Sequence, residues 1–142
     1  MKEKFYFPHM ITAITWSKMS SAQRRQVGAV LARDEQILSI GYNGTLPGED
    51  NICEELIDGQ MVTKKTVIHA EKNCLAKMMN SNETSAGATL FVTTAPCLNC
   101  ALDIILAKVK NVFYLEEYRD TAGIDFLVKR GIECVQLDMT RI

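Results

Sequence analysis

Residues 89–115 read TLFVTTAPCLNCALDIILAKVKNVFYL, and this stretch decides the fold. Thr89 to Thr94 is an apolar, partly β-branched run that predicts a strand. Pro96 ends it, because proline has no N–H to give to a sheet. Leu98 to Ala107 predicts a strongly apolar helix, and Val112 to Leu115 a second strand. Strand, helix and strand in that order make a crossover unit, which sets the two strands parallel.

Working outward, the same pattern repeats toward the C-terminus. Gly123 to Lys129 reads as a helix and Ile132 to Leu137 as a last strand. Toward the N-terminus, Ile68 to Met79 places Ala70, Cys74, Leu75, Met78 and Met79 on one helical face. Val27 to Ala32 and Ile37 to Tyr42 form a hairpin across the polar turn Arg33-Asp34-Glu35-Gln36. His9 to Met19 loosely fits a helix, with Met10, Ile11, Ile14 and Met19 as its apolar positions. Asn43 to Gly59 carries Gly44, Pro47, Gly48 and Gly59 and reads mostly as loop. The expected order is α-β-β-α-β-α-β-α-β. It implies an α/β fold with helices on both faces of one five-stranded mixed sheet, the opening hairpin supplying one antiparallel pair.

Composition bounds what such a fold does. A chain of 142 residues suits one domain, and 47% hydrophobic residues give it a core without disulfides. The formal net charge of −1 argues for a small substrate over a nucleic-acid polyanion. No run approaches the roughly 18 apolar residues of a membrane span. Met1 to Pro8 lacks the apolar core of a signal peptide, so a cytoplasmic location is expected. Five cysteines, an odd number, fit metal ligation in a reducing compartment better than a disulfide framework.

The chemistry concentrates in His69-Ala70-Glu71 and Pro96-Cys97-Leu98-Asn99-Cys100. Each segment opens a predicted helix, where backbone N–H groups and the macrodipole favour negative charge and therefore thiolates. His69, Cys97 and Cys100 make three metal ligands, whereas a closed structural zinc site takes four. The fourth position is then left to a water, whose pKa zinc lowers to about 7. Glu71 lies near the metal without having to bind it and suits proton transfer. The His-x-Glu and Pro-Cys-x-x-Cys signature is that of zinc nucleobase deaminases, in which the activated water attacks C4 of cytosine. A redox Cys-x-x-Cys pair or a zinc knuckle would leave His69 and Glu71 without a task.

From about His9 to Leu137 the chain resembles the deoxycytidylate (dCMP) deaminase family. The resemblance rests on Arg24-Arg25-Gln26-Val27-Gly28-Ala29-Val30, Gly41-Tyr42-Asn43-Gly44-Thr45, His69-Ala70-Glu71-Lys72-Asn73, residues 90–97, and Tyr114 with Tyr118. The metal motif alone fits the wider superfamily; the Gly-Tyr-Asn-Gly segment narrows it. The resemblance implies a three-layer α/β/α cytidine-deaminase-like sandwich, a single catalytic domain over 1–142 and a homo-oligomer, often a hexamer. It implies zinc-dependent conversion of dCMP to dUMP, with dCTP as activator and dTTP as inhibitor acting through the loop after Asn43. By similarity, Asn43 contacts the nucleotide, the Ala70 N–H meets the base, and Arg24 and Tyr118 hold the phosphate end.

An Arg suits a phosphate because its fork donates two parallel hydrogen bonds. Arg24 and Arg25 read equally well as a solvated surface pair, and Tyr118 as a core or interface aromatic. Many family members carry a second, structural zinc. Here its ligand positions look like Ala22 and Lys64 or Lys65, and Cys53 alone is insufficient, so one zinc per chain is expected. Cys74 and Cys134 read as core, His9 as a surface or helix-start residue, and Met78 and Met79 as packing. Competing readings are a bifunctional dCMP/dCTP deaminase, a tRNA adenosine deaminase, and a non-catalytic nucleotide-sensing zinc protein.

Overall fold

The computed structural model describes residues 1–141. Helix α1 (Tyr6–Ser17) is followed by β1 (Gly28–Arg33), β2 (Gln36–Tyr42), β3 (Glu54–Ile57) and β4 (Gln60–Thr63). Then come α2 (Ala70–Ala76), β5 (Thr89–Thr94), α3 (Leu98–Leu106), β6 (Asn111–Glu116), α4 (Ala122–Lys129) and β7 (Glu133–Gln136). The main sheet has five strands in the order β2-β1-β5-β6-β7, and β3 and β4 form a separate hairpin.

Strand alternation divides the core between the two faces of the sheet. On one face Val30, Ala32, Phe91 and Phe113 pack against Met10 and Ala13 of α1. On the other, Ala29, Leu31, Leu90, Val92 and Val112 pack against Ala70, Cys74, Ala101, Ile104 and Leu127 of α2, α3 and α4. Both faces of the central strands are covered, which is why β1 and β5 read as continuous apolar runs and not as alternating ones. The expected α/β/α layering and five-stranded mixed sheet are therefore what the chain forms.

The pairing contains one more antiparallel pair than the sequence predicts. β5–β6 and β6–β7 are parallel and β1–β2 antiparallel, as expected. β1–β5 is also antiparallel. The crossover through α2 brings β5 back in the direction of β2, and β1, lying between them, opposes both.

The segment read as loop before Gly59 is corrected in part. Glu54–Ile57 is a strand, paired to Gln60–Thr63 around Asp58-Gly59. Both turn residues have positive φ, 51° and 79°, the conformation that makes Asp-Gly a hairpin signal. Two further expectations hold only in part: His9 lies in the first turn of α1 but inside the core and not at the surface, and Met78 is packed where Met79 is not. His9 is buried, with its Nε2 donating to the Asp34 carbonyl at 2.6 Å, where it latches α1 onto the β1–β2 turn. Met79 is 85% exposed, because the helix tightens to a 3₁₀ turn over Lys77–Asn80 and rotates it off the face that buries Met78. Cys74 is buried and Cys134 packs against the same core cluster, as read.

One close approach sets the position of α2. A Cβ on Gly41 would lie 2.5 Å from the Ala70 carbonyl oxygen and 2.6 Å from the Cys74 N. Both are backbone atoms, so nothing flexible can yield. Gly41→Ala is expected to cost about 1–3 kcal/mol of stability, the usual range for overpacking. The thermal unfolding midpoint should fall by several degrees, and an unchanged midpoint would mean α2 is not held this tightly.

Candidate metal and nucleotide site

His69 and Cys97 are the N-cap residues immediately before α2 and α3, each in extended backbone conformation. β5 runs directly into Ala95-Pro96-Cys97, and the proline stops the sheet so that the chain turns into α3. The same crossover that makes β5 and β6 parallel thus places Cys97 and Cys100 at the carboxyl end of β5. Such strand ends are where open α/β sheets present their sites.

The three ligand atoms of His69, Cys97 and Cys100 all lie within 4.8 Å of one another. His69 Nδ1 is 3.3 Å from Cys100 Sγ and 3.6 Å from Cys97 Sγ. In a tetrahedral zinc site, Zn–S and Zn–N bonds put a sulfur and a nitrogen about 3.5 Å apart. The donor set and its spacing therefore fit zinc. It is the one His/Cys/Asp/Glu cluster of this kind among the described residues.

The electrostatics agree with that use. Hydrogen bonds from Cys100 and His69 hold the Cys97 thiol well below its usual range, so its thiolate is favoured. The Cys97 sulfur, followed by burial, pushes the buried Cys100 thiol up. His69 is pushed up by its hydrogen bond to Cys97. A cation seated among the three would relieve the crowding of two sulfurs and a carboxylate.

Glu71 is 4% exposed, and burial pushes its carboxyl up to about 7. A carboxyl poised there can both give and take a proton near neutrality. Beside it, Lys72 and Asp103 form a 2.7 Å ion pair that ties α2 to α3. The pair raises the lysine's proton affinity through the Asp103 hydrogen bond, but its exposure keeps its contribution to stability small.

A cavity of about 320 Å³ opens onto this cluster. His69, Ala70, Glu71 and Cys97 line it together with Arg24, Asn43 and Tyr118, so the residues singled out in the sequence come together. Cys100 lies behind the lining and is buried. Asn43 is already engaged: its Oδ1 accepts from the Val27 N–H at 2.9 Å and its Nδ2 donates to the Arg25 carbonyl at 2.8 Å. An amide has further donor and acceptor capacity on each end, so this does not exhaust it.

Arg25, Thr63, Thr94 and Arg119 also line the cavity; of these the sequence points only to Arg25, which reads with Arg24 either as a phosphate contact or as a surface residue. Arg25 places its guanidinium over the Tyr118 ring, 5.7 Å from the centroid. Arg119 carries a signal in the sequence: it follows Tyr118 in the loop after β6, at the same end of the sheet as Cys97. Thr63 had none, since it ends β4, a strand that follows the segment 43–59 and was not anticipated.

Residues 1–116 match the family model for the cytidine and deoxycytidylate deaminase zinc-binding region. The chain is similar to the ComE operon protein 2 of Bacillus subtilis, 32% identical over 84% of this chain and 65% of that protein. It is similar to the deoxycytidylate deaminase of Saccharomyces cerevisiae, 30% identical over 95% of this chain and 45% of the yeast protein. The chain thus spans less than two thirds of either relative's length. It is also similar to the crystal structure of dCMP deaminase from the cyanophage S-TIM5 in complex with dCMP and dUMP. That likeness is 42% identity at a TM-score of 0.89, over 96% of this chain and 99% of that one.

Proposed function

The chain belongs to the cytidine and deoxycytidylate deaminase family, and from that membership we propose that it is an enzyme hydrolysing dCMP and water to dUMP and ammonia. One observation carries the reading. The metal-type triad, a buried carboxyl and three arginines, Arg24, Arg25 and Arg119, line or back one cavity. A nucleotide presents a base to be hydrolysed and a phosphate to be gripped, and this cavity carries groups for both.

In this reading His69, Cys97 and Cys100 hold one zinc. When bound, the metal supplies a water acidic enough to act as a nucleophile at neutral pH. Glu71 would move the protons: it would take one from the attacking water and give it to N3 of the cytosine ring, then take the second from the hydroxyl left on C4 and deliver it to the departing amino nitrogen, which leaves as ammonia. Ala70 presents its backbone N–H to the base. Asn43 contacts the nucleotide, and Arg24 and Tyr118 hold the phosphate, with Arg25 stacked on the tyrosine.

The wider setting belongs to the same proposal: a single domain, a cytoplasmic enzyme, dCTP and dTTP as effectors, and a homo-oligomer. No helix among the described residues is long and apolar enough to cross a membrane. Leu98, Leu102 and Leu106 recur every fourth residue on α3 and are 43%, 44% and 80% exposed. Leu106 also lines a groove of about 470 Å³ with Leu75, Met78 and Met79, and such a face favours cover by another copy.

The test is a substrate panel of deoxycytidine, dCMP, dCTP and CMP, each with and without dCTP or dTTP, followed by the absorbance lost as cytosine becomes uracil. dCMP should be the preferred substrate; a preference for dCTP would move the reading to the bifunctional enzyme. Arg24→Ala should lower kcat/KM for dCMP by roughly tenfold or more, the worth of a charge-assisted hydrogen bond, and affect deoxycytidine far less. Equal losses on both substrates would remove Arg24 from the phosphate site.

A further inference from the structure

The segment 20–26, between α1 and β1, has neither helix nor strand, yet it delivers Arg24 and Arg25 to the cavity. Something other than a ladder must hold it. Glu54, the first residue of β3, is buried at 5% exposure. Its Oε2 accepts the backbone N–H of Gln23 at 2.9 Å and of Arg24 at 3.1 Å. Among the described residues the ion pairs are Lys64–Asp50 and Lys72–Asp103, so Glu54 has its close partners in the backbone and not in a cation. A buried carboxylate is costly unless its oxygens are bonded, and here the bonds go to the residues that carry the arginines.

The neighbouring strand adds a second hold. Thr63 pairs with Glu54 in the hairpin register, and its Oγ1 accepts from Arg24 Nη1 at 3.4 Å. Below them, Ser21 Oγ donates to the Asn51 carbonyl at 2.6 Å, and Ala22, Cys53 and Val67 form a small buried cluster. The hairpin therefore grips the segment by its backbone and by one guanidinium, while Thr63 also lines the cavity.

We propose that Glu54 is a positioning residue for recognition of the nucleotide's 5′-phosphate, acting through the backbone of Gln23 and Arg24 without touching the substrate. This rests on the dCMP reading above. Without Glu54, two N–H groups lose their acceptor, the segment gains freedom, and the arginines meet the phosphate only after paying for that order again. Binding weakens while the chemistry at the base, which Glu71 serves from α2, is untouched. The signature is a KM effect and not a kcat effect.

The experiment compares steady-state dCMP kinetics and zinc content of wild type, Glu54→Ala, Glu54→Gln and Glu54→Asp. Glu54→Ala is expected to raise KM for dCMP about tenfold, the scale of a lost charge-assisted hydrogen bond, with kcat and zinc retained. Glu54→Gln keeps a carbonyl oxygen that can accept the same bonds, and should restore most of the affinity. If Glu54→Ala does not fold, Glu54→Asp decides, since its retracted carboxylate should still raise KM several-fold at full zinc content. An unchanged KM, or a fall in kcat together with loss of zinc, overturns the positioning role. Absence of dCMP turnover in the wild type would instead overturn the underlying function, and this inference with it.

Discussion

Glu71→Ala is expected to retain its zinc and fold but to lose at least about 10²–10⁴-fold in turnover, the range that positioned proton transfer supplies. The reason begins with where the side chain sits. α2 starts after His69, so Glu71 lies in the first helical turn, two residues from His69 and buried. Gly41 lets the sheet approach this helix closely, and the helix carries the carboxyl into a dry place. Burial then pushes that carboxyl up to about 7. A solvated glutamate near 4.3 would be a weak proton donor at neutral pH. Deaminating cytosine needs a group that both donates and accepts in one cycle, and a near-neutral carboxyl can do so. Glu71→Gln separates the roles, because it keeps the shape and hydrogen-bonding reach but carries no transferable proton. Both variants should fall together in the absorbance assay while zinc content matches wild type. Near-wild-type turnover in either would strip Glu71 of its assignment.

How much of this was legible in the sequence depended on the range of the forces involved. The crossover unit from Thr89 to Leu115 was readable because local pattern decides it: a buried strand, a proline stop, an apolar helix. The coming together of His69, Cys97 and Cys100 was readable because metal chemistry admits few residue types and the spacing places these at two helix starts. The β1–β5 pairing was not, since it follows from which strand the α2 crossover lands beside, a matter of the whole chain. The β3–β4 hairpin was missed for a different reason. Asp58-Gly59 announced it, but the apolar residues around that turn remain exposed, including Leu56 at 69%, so no buried face reinforced the pattern. With the hairpin went Glu54 and Thr63, and with them the explanation of how an irregular segment can present two arginines. Met79 misled because helical spacing was extended past the point where the helix tightens.

Zinc analysis of the purified chain is expected to give one equivalent, and Cys100→Ala to abolish it along with activity. Cys100 is the buried member of the triad, while His69 and Cys97 lie nearer the solvent. Removing it leaves two donors and a pocket opened on its inner side. Loss of a mere outer partner already costs about 10–100-fold in metal affinity, so losing a ligand should exceed about 100-fold in a chelator competition. The count of one has its own basis. At the place where a second zinc would sit, Ala22 and Cys53 pack with Val67 as an apolar cluster, and the Cys53 Sγ meets the Ser21 hydroxyl at 3.5 Å. One soft donor among aliphatic groups cannot strip a zinc ion of its water. Cys53→Ala should therefore leave the zinc content unchanged, a contrast with Cys100→Ala that separates ligand loss from general damage. Two equivalents in the wild type, or metal lost on replacing Cys53, would place a ligand set where this packing allows none.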